Sequence, residues 1–352
     1  MLNSLVSRNA TFNSEGLLID VYGTGRAVSF VVDTTFILPV GVSKFRVSVI
    51  GAGGSPGTRG SEGAVGGGGG GGFAQSILTL SAGESIPVTV GVGGITSGDD
   101  TDGAAGGTSS FGTHLSATGG SGGVQVDINT ALSAAAGGVG IGGQINYTGG
   151  AGGLIEAETG SSYSATGGGG AATRFGNGGS GGNITGTGTS YYATGGGGIQ
   201  GLHGGHVVRG VTASHTGGAG AISPGLDNVG GYGFFGGAKD GSYFYTTSGN
   251  FDSIYSLTSA ERYIGEFIYG FGGGKFTAST ARYAPAPGGG GGSSNVGKPQ
   301  DGGVFGGGGG CTHSSSADGS SGGIGGGGGA ACTATSISGT FRGGSGLVVI
   351  EW

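Results

Sequence analysis

Hydrophobic and polar residues alternate along residues 44–50, where Phe45, Val47 and Val49 are separated by polar side chains. An alternation of period two is typical of a β-strand that buries one face and exposes the other. Residues 85–92 repeat the pattern. The two stretches therefore predict half-buried strands in the N-terminal third of the chain, with the three apolar side chains of the first strand in a core.

The strand predicted at residues 85–92 carries a proline in its interior. Pro87 has no N–H to donate to a neighbouring strand, and prolines within sheets are confined to edges, strand starts and bulges. We therefore expect this strand at a sheet edge or next to a bulge. Turns at residues 39–42 and 81–84, each with a glycine, separate the predicted strands of this region.

The last residues of the chain, 347–352, form another apolar run of strand character. A strand at the extreme C-terminus indicates that the chain end returns to the sheet of the N-terminal strands. The long middle of the chain would then be a closed excursion from that sheet and not a tail.

Glycine makes up 100 of the 352 residues and occurs in solid runs, such as 66–72, 306–310 and 325–329. Collagen requires glycine at every third position together with abundant proline, whereas this chain has 7 prolines. A flexible linker is disfavoured because 34% of the residues are hydrophobic and 9% are charged, the reverse of the composition of disordered segments. The runs are therefore expected to pack.

Runs of glycine can adopt the extended threefold polyglycine II helix, which rises about 3.1 Å per residue. Since glycine keeps its amide donor, several such helices can hydrogen-bond side by side and approach closely. Ala-Thr-Gly precedes several runs, at residues 117–119, 165–167 and 193–195. These repeats indicate one structural unit that is used many times with inserts of different length.

These patterns predict an all-β protein with little α-helix. The N-terminal strands and the C-terminal strand would form a jelly-roll-like β-sandwich, with a bundle of polyglycine II helices beside it. The expected domains are an attachment or assembly segment at residues 1–33, the sandwich at residues 34–118 plus 340–352, and the glycine-rich bundle with variable loops at residues 119–339.

Charge and hydropathy argue against several classes of protein. The formal net charge is −6, with 13 Lys and Arg residues that form no basic stripe, so no nucleic-acid partner is expected. No apolar run reaches the roughly 18 residues that a membrane helix needs, so no membrane insertion is expected. Residues 1–20 lack the charged-then-apolar pattern of a signal peptide. An extracellular role would therefore need another route, such as release with a virion on lysis.

No arrangement of residues indicates an enzyme, a cofactor site or a metal site. Glycine-rich fingerprints match by chance at this glycine content, and no nucleophile has an identifiable base. His203 and His206 could bind a metal, but polar loop histidines are the favoured interpretation. Asp99, Asp100 and Asp102 could hold calcium, but a solvated turn is favoured.

Cys311 and Cys332 each follow a five-glycine run, the second after two intervening alanines. Two cysteines do not make a disulfide framework, and without an export signal reduced thiols are favoured. A disulfide between the two remains an alternative.

Two parts of the sequence resemble the glycine-rich domain of phage and prophage tail fibres. They are residues 35–54 with their continuation to Gly94, and the ending at residues 346–352. The glycine-rich middle is similar in style to the tail-tip adhesins of T-even-type phages, in which loops between sandwiched polyglycine helices contact the host. The chain departs from those adhesins in its N-terminal region and its C-terminal strand, so no individual residue role is carried over.

The resemblance implies a non-enzymatic tail-fibre or tail-tip adhesin of the virion, assembled in the cytoplasm of the bacterial host. Its receptor would be a bacterial surface protein or polysaccharide, and residues 1–33 would attach it to other virion tail proteins. The resemblance leaves open whether the protein forms a homo-oligomer such as a trimer. The alternative is a purely structural virion protein, a tail or capsid decoration whose loops contact other subunits.

Aromatic residues concentrate in an insert at residues 232–283, which holds 14 of the chain's 28 Phe and Tyr residues. Exposed tyrosines offer rigid contact area with a hydrogen-bonding tip, which suits sugars and protein surfaces. A satellite core or a subunit contact is the alternative role for these rings. The candidate receptor contacts are Tyr191, Tyr192, Tyr243, Phe244, Tyr245, Phe251, Tyr255, Tyr263, Phe267 and Tyr269.

Overall fold

The computed structural model describes residues 11–12, 18–20, 26–157, 162–210, 216, 218–219, 288–291, 293–294, 299, 301–313, 319–335, 337 and 339–352. Within these ranges every regular element is a β-strand and none is a helix. The prediction of an all-β protein with little α-helix is confirmed for this part of the chain.

Most of the strands are short. Their bounds are β1 (Thr11–Phe12), β2 (Leu18–Asp20), β3 (Ala27–Phe30), β4 (Thr34–Ile37), β5 (Lys44–Ile50), β6 (Thr58–Arg59), β7 (Gly63–Val65), β8 (Phe73–Thr79), β9 (Ser85–Thr89), β10 (Ile95–Ser97), β11 (Ser109–Phe111), β12 (Leu115–Ala117), β13 (Gln125–Val126), β14 (Gly140–Ile141), β15 (Ile145–Tyr147), β16 (Tyr163–Ala165), β17 (Ile184–Thr185), β18 (Tyr191–Ala193), β19 (Val207–Val208), β20 (Cys311–His313), β21 (Ala331–Thr333), β22 (Thr340–Arg342) and β23 (Leu347–Glu351).

Two five-stranded antiparallel sheets enclose the main hydrophobic core. Their strand orders are β15-β8-β5-β23-β3 and β14-β12-β11-β9-β4. The C-terminal strand β23 lies between β5 and β3, so the predicted return of the chain end to the N-terminal sheet is confirmed. Strand β3 precedes residue 34 and β14 and β15 follow residue 118, so these sheets also take strands from outside the segment predicted for the sandwich.

The alternation along β5 sets the face that it buries. Phe45, Val47 and Val49 are fully buried and pack in one cluster with Val348 and Ile350 of β23, as the period-two pattern predicts. Burial of side chains of this size contributes roughly 1.5–3 kcal/mol each. On the opposite face Arg46 pairs with Glu351 across the two strands.

The expectation that Pro87 marks an edge strand is wrong. Strand β9 lies between β11 and β4, and its register with β4 runs without a break from Thr34↔Val88 to Ile37↔Ser85. Pro87 fits there because its missing N–H would point past the end of β11. On that side only its carbonyl is used, accepting the N–H of Gly112 at 2.8 Å.

The glycine runs continue directly from strands of the sandwich and hydrogen-bond to one another. Along the run 66–72, every third N–H donates to residues 118–124 and every third carbonyl accepts from residues 51–57. The bonded pairs are Gly66–Val124, Gly69–Ser121 and Gly72–Thr118 on one side, and Gly66–Gly57, Gly69–Gly54 and Gly72–Gly51 on the other. A period of three is the one that a polyglycine II helix requires; the bundle of such helices stays a prediction.

Close approach of these backbones explains why the runs are glycine. A Cβ added to Gly68, Gly69, Gly70 or Gly71 would lie 2.0–2.1 Å from a backbone oxygen of a neighbouring run. Such a distance is far inside van der Waals contact, so any larger residue would force the runs apart.

The glycine-rich part has two different ends. At the end next to the sandwich, Ala171 and Ala172 pack with Ile50 and Phe73. At the opposite end, called the distal end below, short strands follow or precede the runs and pair with one another. These strands are β6, β7, β13, β16, β18, β20 and β21.

Candidate functional site

The distal end presents a set of loops beyond the short strands. The distal loops are defined here as residues 59–62, 98–102, 127–131, 156–157 and 185–190. Hydrogen bonds join loops that come from separate parts of the chain: Arg59 contacts Asp127, Gly60 contacts Asp100, and Gly186 contacts Glu156. A set of adjacent loops on a packed support is the usual arrangement of a protein recognition surface.

Three buried threonines hold neighbouring glycine runs in register at the points where the runs leave the short strands. Thr166, Thr194 and Thr216 are fully buried, and each hydroxyl both accepts an amide N–H from one glycine run and donates to the carbonyl of another. The Thr166 hydroxyl accepts from the N–H of Gly67 at 3.0 Å and donates to the Gly153 carbonyl at 3.1 Å. The Thr194 hydroxyl accepts from Gly167 at 3.2 Å and donates to Gly182 at 2.7 Å. The Thr216 hydroxyl accepts from Gly195 at 3.3 Å and donates to Gly205 at 2.6 Å. These contacts are called the threonine bridges.

The threonine bridges bring two tyrosines together. Strands β16 and β18 are parallel with Tyr163 opposite Tyr191, and the two rings stack with centroids 4.8 Å apart and planes 7° apart. Both side chains are half-buried. Burial, followed by the Glu62 carboxylate and then Tyr191, raises the pKa of the Tyr163 phenol above its ordinary value.

Tyr192 points to the other side of β18, into the protein. Its side chain is 5% exposed and packs with Ala64 and Ile184, while the guanidinium of Arg209 lies 5.7 Å from its ring centroid. This burial favours the packing role that the sequence left open for Tyr192. The other candidate contacts, Tyr243, Phe244, Tyr245, Phe251, Tyr255, Tyr263, Phe267 and Tyr269, lie outside the described residues.

Arg209 is a buried cation that joins three parts of the distal end. Its side chain is 3% exposed. One terminal nitrogen donates to the carbonyls of Glu156 at 2.9 Å and Gly186 at 3.0 Å, and the other donates to the Ser164 hydroxyl at 3.2 Å. Because the guanidinium is planar and carries fixed donors, it holds the loops at 156–157 and 185–190 in one geometry against β16.

The carboxylates at residues 99–102 act as hydrogen-bond acceptors for three separate segments. Asp99 accepts the N–H of Ile337, Asp100 that of Gly60 at 3.2 Å, and Asp102 that of Gln125 at 2.9 Å. Their oxygens point to different backbone amides and not to a common centre. In the part of the chain that the structure describes, no group of three or more His, Cys, Asp or Glu side chains is arranged to hold a metal ion.

Arg59 adds a further link between distal loops. Its guanidinium donates to the Gln125 side chain, to Asp127 and, at 2.7 Å, to the Glu62 carbonyl. Arg59 and the aspartates tie the loops at 59–62, 98–102 and 127–131 to one another or to neighbouring segments, and Arg209 ties the loops at 156–157 and 185–190. The loop backbone is therefore ordered before any ligand arrives, which lowers the conformational cost of binding.

His203 and His206 take structural roles in hydrogen bonding. The rings stack with centroids 4.5 Å apart. Nδ1 of His206 accepts the N–H of Asn183 at 2.8 Å, which leaves the proton of a neutral ring on Nε2, and Nδ1 of His203 lies 2.8 Å from the Gly204 carbonyl. With one nitrogen of each ring engaged by the backbone, the pair fits the polar loop interpretation.

Cys311 and Cys332 are both buried and form no disulfide. They lie on adjacent parallel strands, but Cys332 pairs with Thr312 and Cys311 pairs with Ala331. Since successive residues of a strand point to opposite faces, the two thiols enter different clusters, Cys311 beside Phe341 and Cys332 beside Val65. The alternative of a disulfide between them is therefore wrong.

Three features of the distal end escaped the sequence patterns. The Ala-Thr-Gly repeats marked Thr166 and Thr194 as recurring but gave no role to the hydroxyl. Aligning those repeats would have placed Tyr163 opposite Tyr191. Arg209 carried no signal, because a lone arginine in a glycine-rich segment is usually solvated.

Comparison with known families identifies one match. The model of a family described as a glycine-rich domain matches residues 29–253, which is more than half of the chain. Comparison with curated proteins gives no match. Among the described residues, no helix is long and apolar enough to cross a membrane.

Proposed function

Since the chain belongs to the glycine-rich domain family, we propose that it is a phage tail-fibre or tail-tip adhesin that recognises a bacterial surface receptor. Recognition is assigned to the distal loops, carried on the glycine runs as a rigid support. The receptor is a surface protein or polysaccharide, and the protein acts in the virion without catalysis.

The observation that carries this proposal is the pinning of the distal loops. Arg59, Arg209 and the carboxylates at 99–102 join loops that come from distant parts of the chain. The described loops contain many Ser, Thr and Gly residues, small side chains that can adapt their hydrogen bonds in recognition loops. Because the glycine runs are held together by their backbones, the loops between them can vary in sequence and length without disrupting that support.

The placement of the sandwich and the distal loops at opposite ends of the glycine runs supports the same assignment. The sandwich, which contains β3 and β23, lies at one end of the glycine runs, and the distal loops lie at the other. A protein held to other tail proteins near its sandwich would present the distal loops outward. Several copies on one virion would convert weak single contacts into firm attachment.

The test is blocking of phage adsorption by the purified chain. We expect a dose-dependent fall in the number of phage that attach to host cells. Replacing Thr187 and Thr189, both exposed in a distal loop, by arginine should abolish blocking. The matched control places arginine at Thr79, which is exposed at the sandwich end, and should block as the natural chain does.

A second variant tests the aromatic insert separately. The chain leaves the described part at Ala219 and returns at Gly288, and Gly290 donates to the Ala219 carbonyl at 2.7 Å. A short Gly/Ser linker in place of residues 221–287 therefore has little distance to span. If this folded variant still blocks adsorption, the distal loops suffice; if blocking is lost while the Thr187/Thr189 variant retains it, the insert carries recognition.

Absence of blocking by folded natural chain would overturn the adhesin proposal. In that case the purely structural virion protein, whose loops contact other subunits, becomes the better account.

A further inference from the structure

An apolar edge of the sandwich is exposed along β4. Four aliphatic side chains lie there within ten residues: Val31 at 56%, Val32 at 67%, Ile37 at 67% and Val40 at 91% exposed. Exposed sheet edges are usually blunted by charges, prolines or bulges, because an open edge can pair with another chain. The charged group of this stretch, Asp33, is engaged by the N–H of Val90 at 2.7 Å.

The backbone of β4 keeps donors and acceptors on its outer side. Among the described residues β4 pairs only with β9, as the outermost strand of its sheet. Thr35 stands opposite Pro87, which has no N–H, and Leu38 bonds to Glu84 and Gly83. Since hydrogen-bonded and non-hydrogen-bonded pairs alternate in antiparallel sheets, the N–H and C=O groups of Thr35 and Ile37 point away from β9 to the open edge.

We propose that this edge pairs with the same edge of a second copy of the chain, forming a two-fold symmetric dimer. A two-fold axis at Phe36 places Thr35 of one copy opposite Ile37 of the other, and the reverse. Each such pair exchanges two backbone hydrogen bonds, so all four outward groups of both residues are satisfied. The two five-stranded sheets would join into one continuous sheet.

The exposed aliphatic residues flank β4 on both sides. Val31 and Val32 lie in the bend before the strand and Val40 lies in the turn after it, so a two-fold axis at Phe36 places the apolar residues before β4 in one copy on the same side of the axis as Val40 of the other. These are among the most exposed apolar side chains of the described chain. In a two-fold contact residue i of one copy meets residue j of the other and the reverse, and the Asp33 carboxylates of the two copies fall on opposite sides of the axis and not against each other.

The first test is the solution mass of the full chain. Light scattering during gel filtration should give a mass that rises with concentration toward twice the chain mass of 33.0 kDa. Ile37→Lys should shift the protein to one chain at concentrations where the natural protein is dimeric. Ile77→Lys is the matched control: Ile77 is 45% exposed but lies on β8, an interior strand of the other sheet, so its variant should remain dimeric.

Cross-linking tests the register. Opposite residues of a hydrogen-bonded antiparallel pair have Cα atoms about 5.5 Å apart, within the range that a disulfide spans. A Thr35→Cys/Ile37→Cys variant should therefore give a covalent dimer on oxidation, while Cys311 and Cys332 stay buried and do not compete. A mass of one chain at every concentration, a trimer, or a dimer that survives Ile37→Lys and gives no cross-link would each overturn the proposal.

This inference does not depend on receptor binding. A monomer that blocks phage adsorption would overturn the dimer and keep the adhesin. A dimer that fails to block adsorption would overturn the adhesin and keep the dimer.

Discussion

The amide of Gly167 donates to the hydroxyl of Thr194 at 3.2 Å, so a side chain at the start of one glycine run fixes the start of another. The same hydroxyl donates to the Gly182 carbonyl at 2.7 Å, which joins three runs at one buried atom. Glycine runs have no side chains of their own with which to select a neighbour. The threonine bridges therefore supply register that the runs lack.

Thr194→Val should destabilise the protein, because valine has the shape of threonine without the hydroxyl. The change leaves one buried N–H and one buried carbonyl without their partner, at a cost of about 1–3 kcal/mol for each group left unsatisfied. The measurement is the free energy of unfolding in urea. Thr194→Ser, which keeps the hydroxyl, should lose much less, and equal losses for the two variants would contradict the role of the bridge.

Gly69→Ala should destabilise the glycine-rich part, because the new Cβ would lie 2.1 Å from the Ala136 carbonyl oxygen. Overpacking of a rigid site costs roughly 1–3 kcal/mol and in some cases more. Thermal unfolding measures the effect. Gly60→Ala is the matched control, since its Cβ would come no closer than 3.1 Å to a neighbouring atom, Cγ of Asp99; a melting temperature as low as that of Gly69→Ala would refute the packing argument.

The two cysteines should not react with a thiol reagent in the folded protein. Cys311 and Cys332 are fully buried and face different clusters, so exposure requires unfolding of the strands β20 and β21. We expect no reaction with Ellman's reagent before denaturation and two thiols per chain after it. Recovery of fewer than two thiols from unreduced protein would indicate a disulfide and contradict the strand register.

The phenol of Tyr163 should ionise at a higher pH than an ordinary tyrosine, whose pKa is 10.0. Burial is the first cause and the Glu62 carboxylate the second. The unfolded chain then loses this proton at a lower pH than the folded chain, so the contribution of Tyr163 to stability is present below pH 10 and is lost as the pH rises through the folded pKa.

The phenolate absorbance of the natural chain minus that of Tyr163→Phe isolates this titration. Glu62→Gln, which removes the negative charge and keeps the size, should lower the pKa of Tyr163 toward its ordinary value without restoring it fully. A Tyr163 titration at or below pH 10 in the natural chain would contradict the stacked and partly buried placement of the ring.

Local patterns sufficed for the strands of the sandwich. The alternation around Phe45, Val47 and Val49 gave the strand and its buried face, and the apolar ending at 347–352 gave the last strand, because periodicity and turn residues act within a few positions. The composition likewise pointed to packed glycine runs. Residue type alone thus determined an all-β fold with packed glycine runs in the middle of the chain.

Only the tertiary structure decided which segments meet. Runs of glycine are chemically identical, so nothing in residues 66–72 specifies residues 51–57 and 118–124 as their neighbours; strands and threonines at the ends of the runs impose that choice. The missing N–H of Pro87 is visible in the sequence and predicted an edge strand. An interior strand accepts this proline because β11 ends before the position that the N–H would face, and the sequence does not show where β11 ends. Arg209 acquires its role from carbonyls of Glu156 and Gly186, which are distant along the chain and approach only when the runs are stacked side by side.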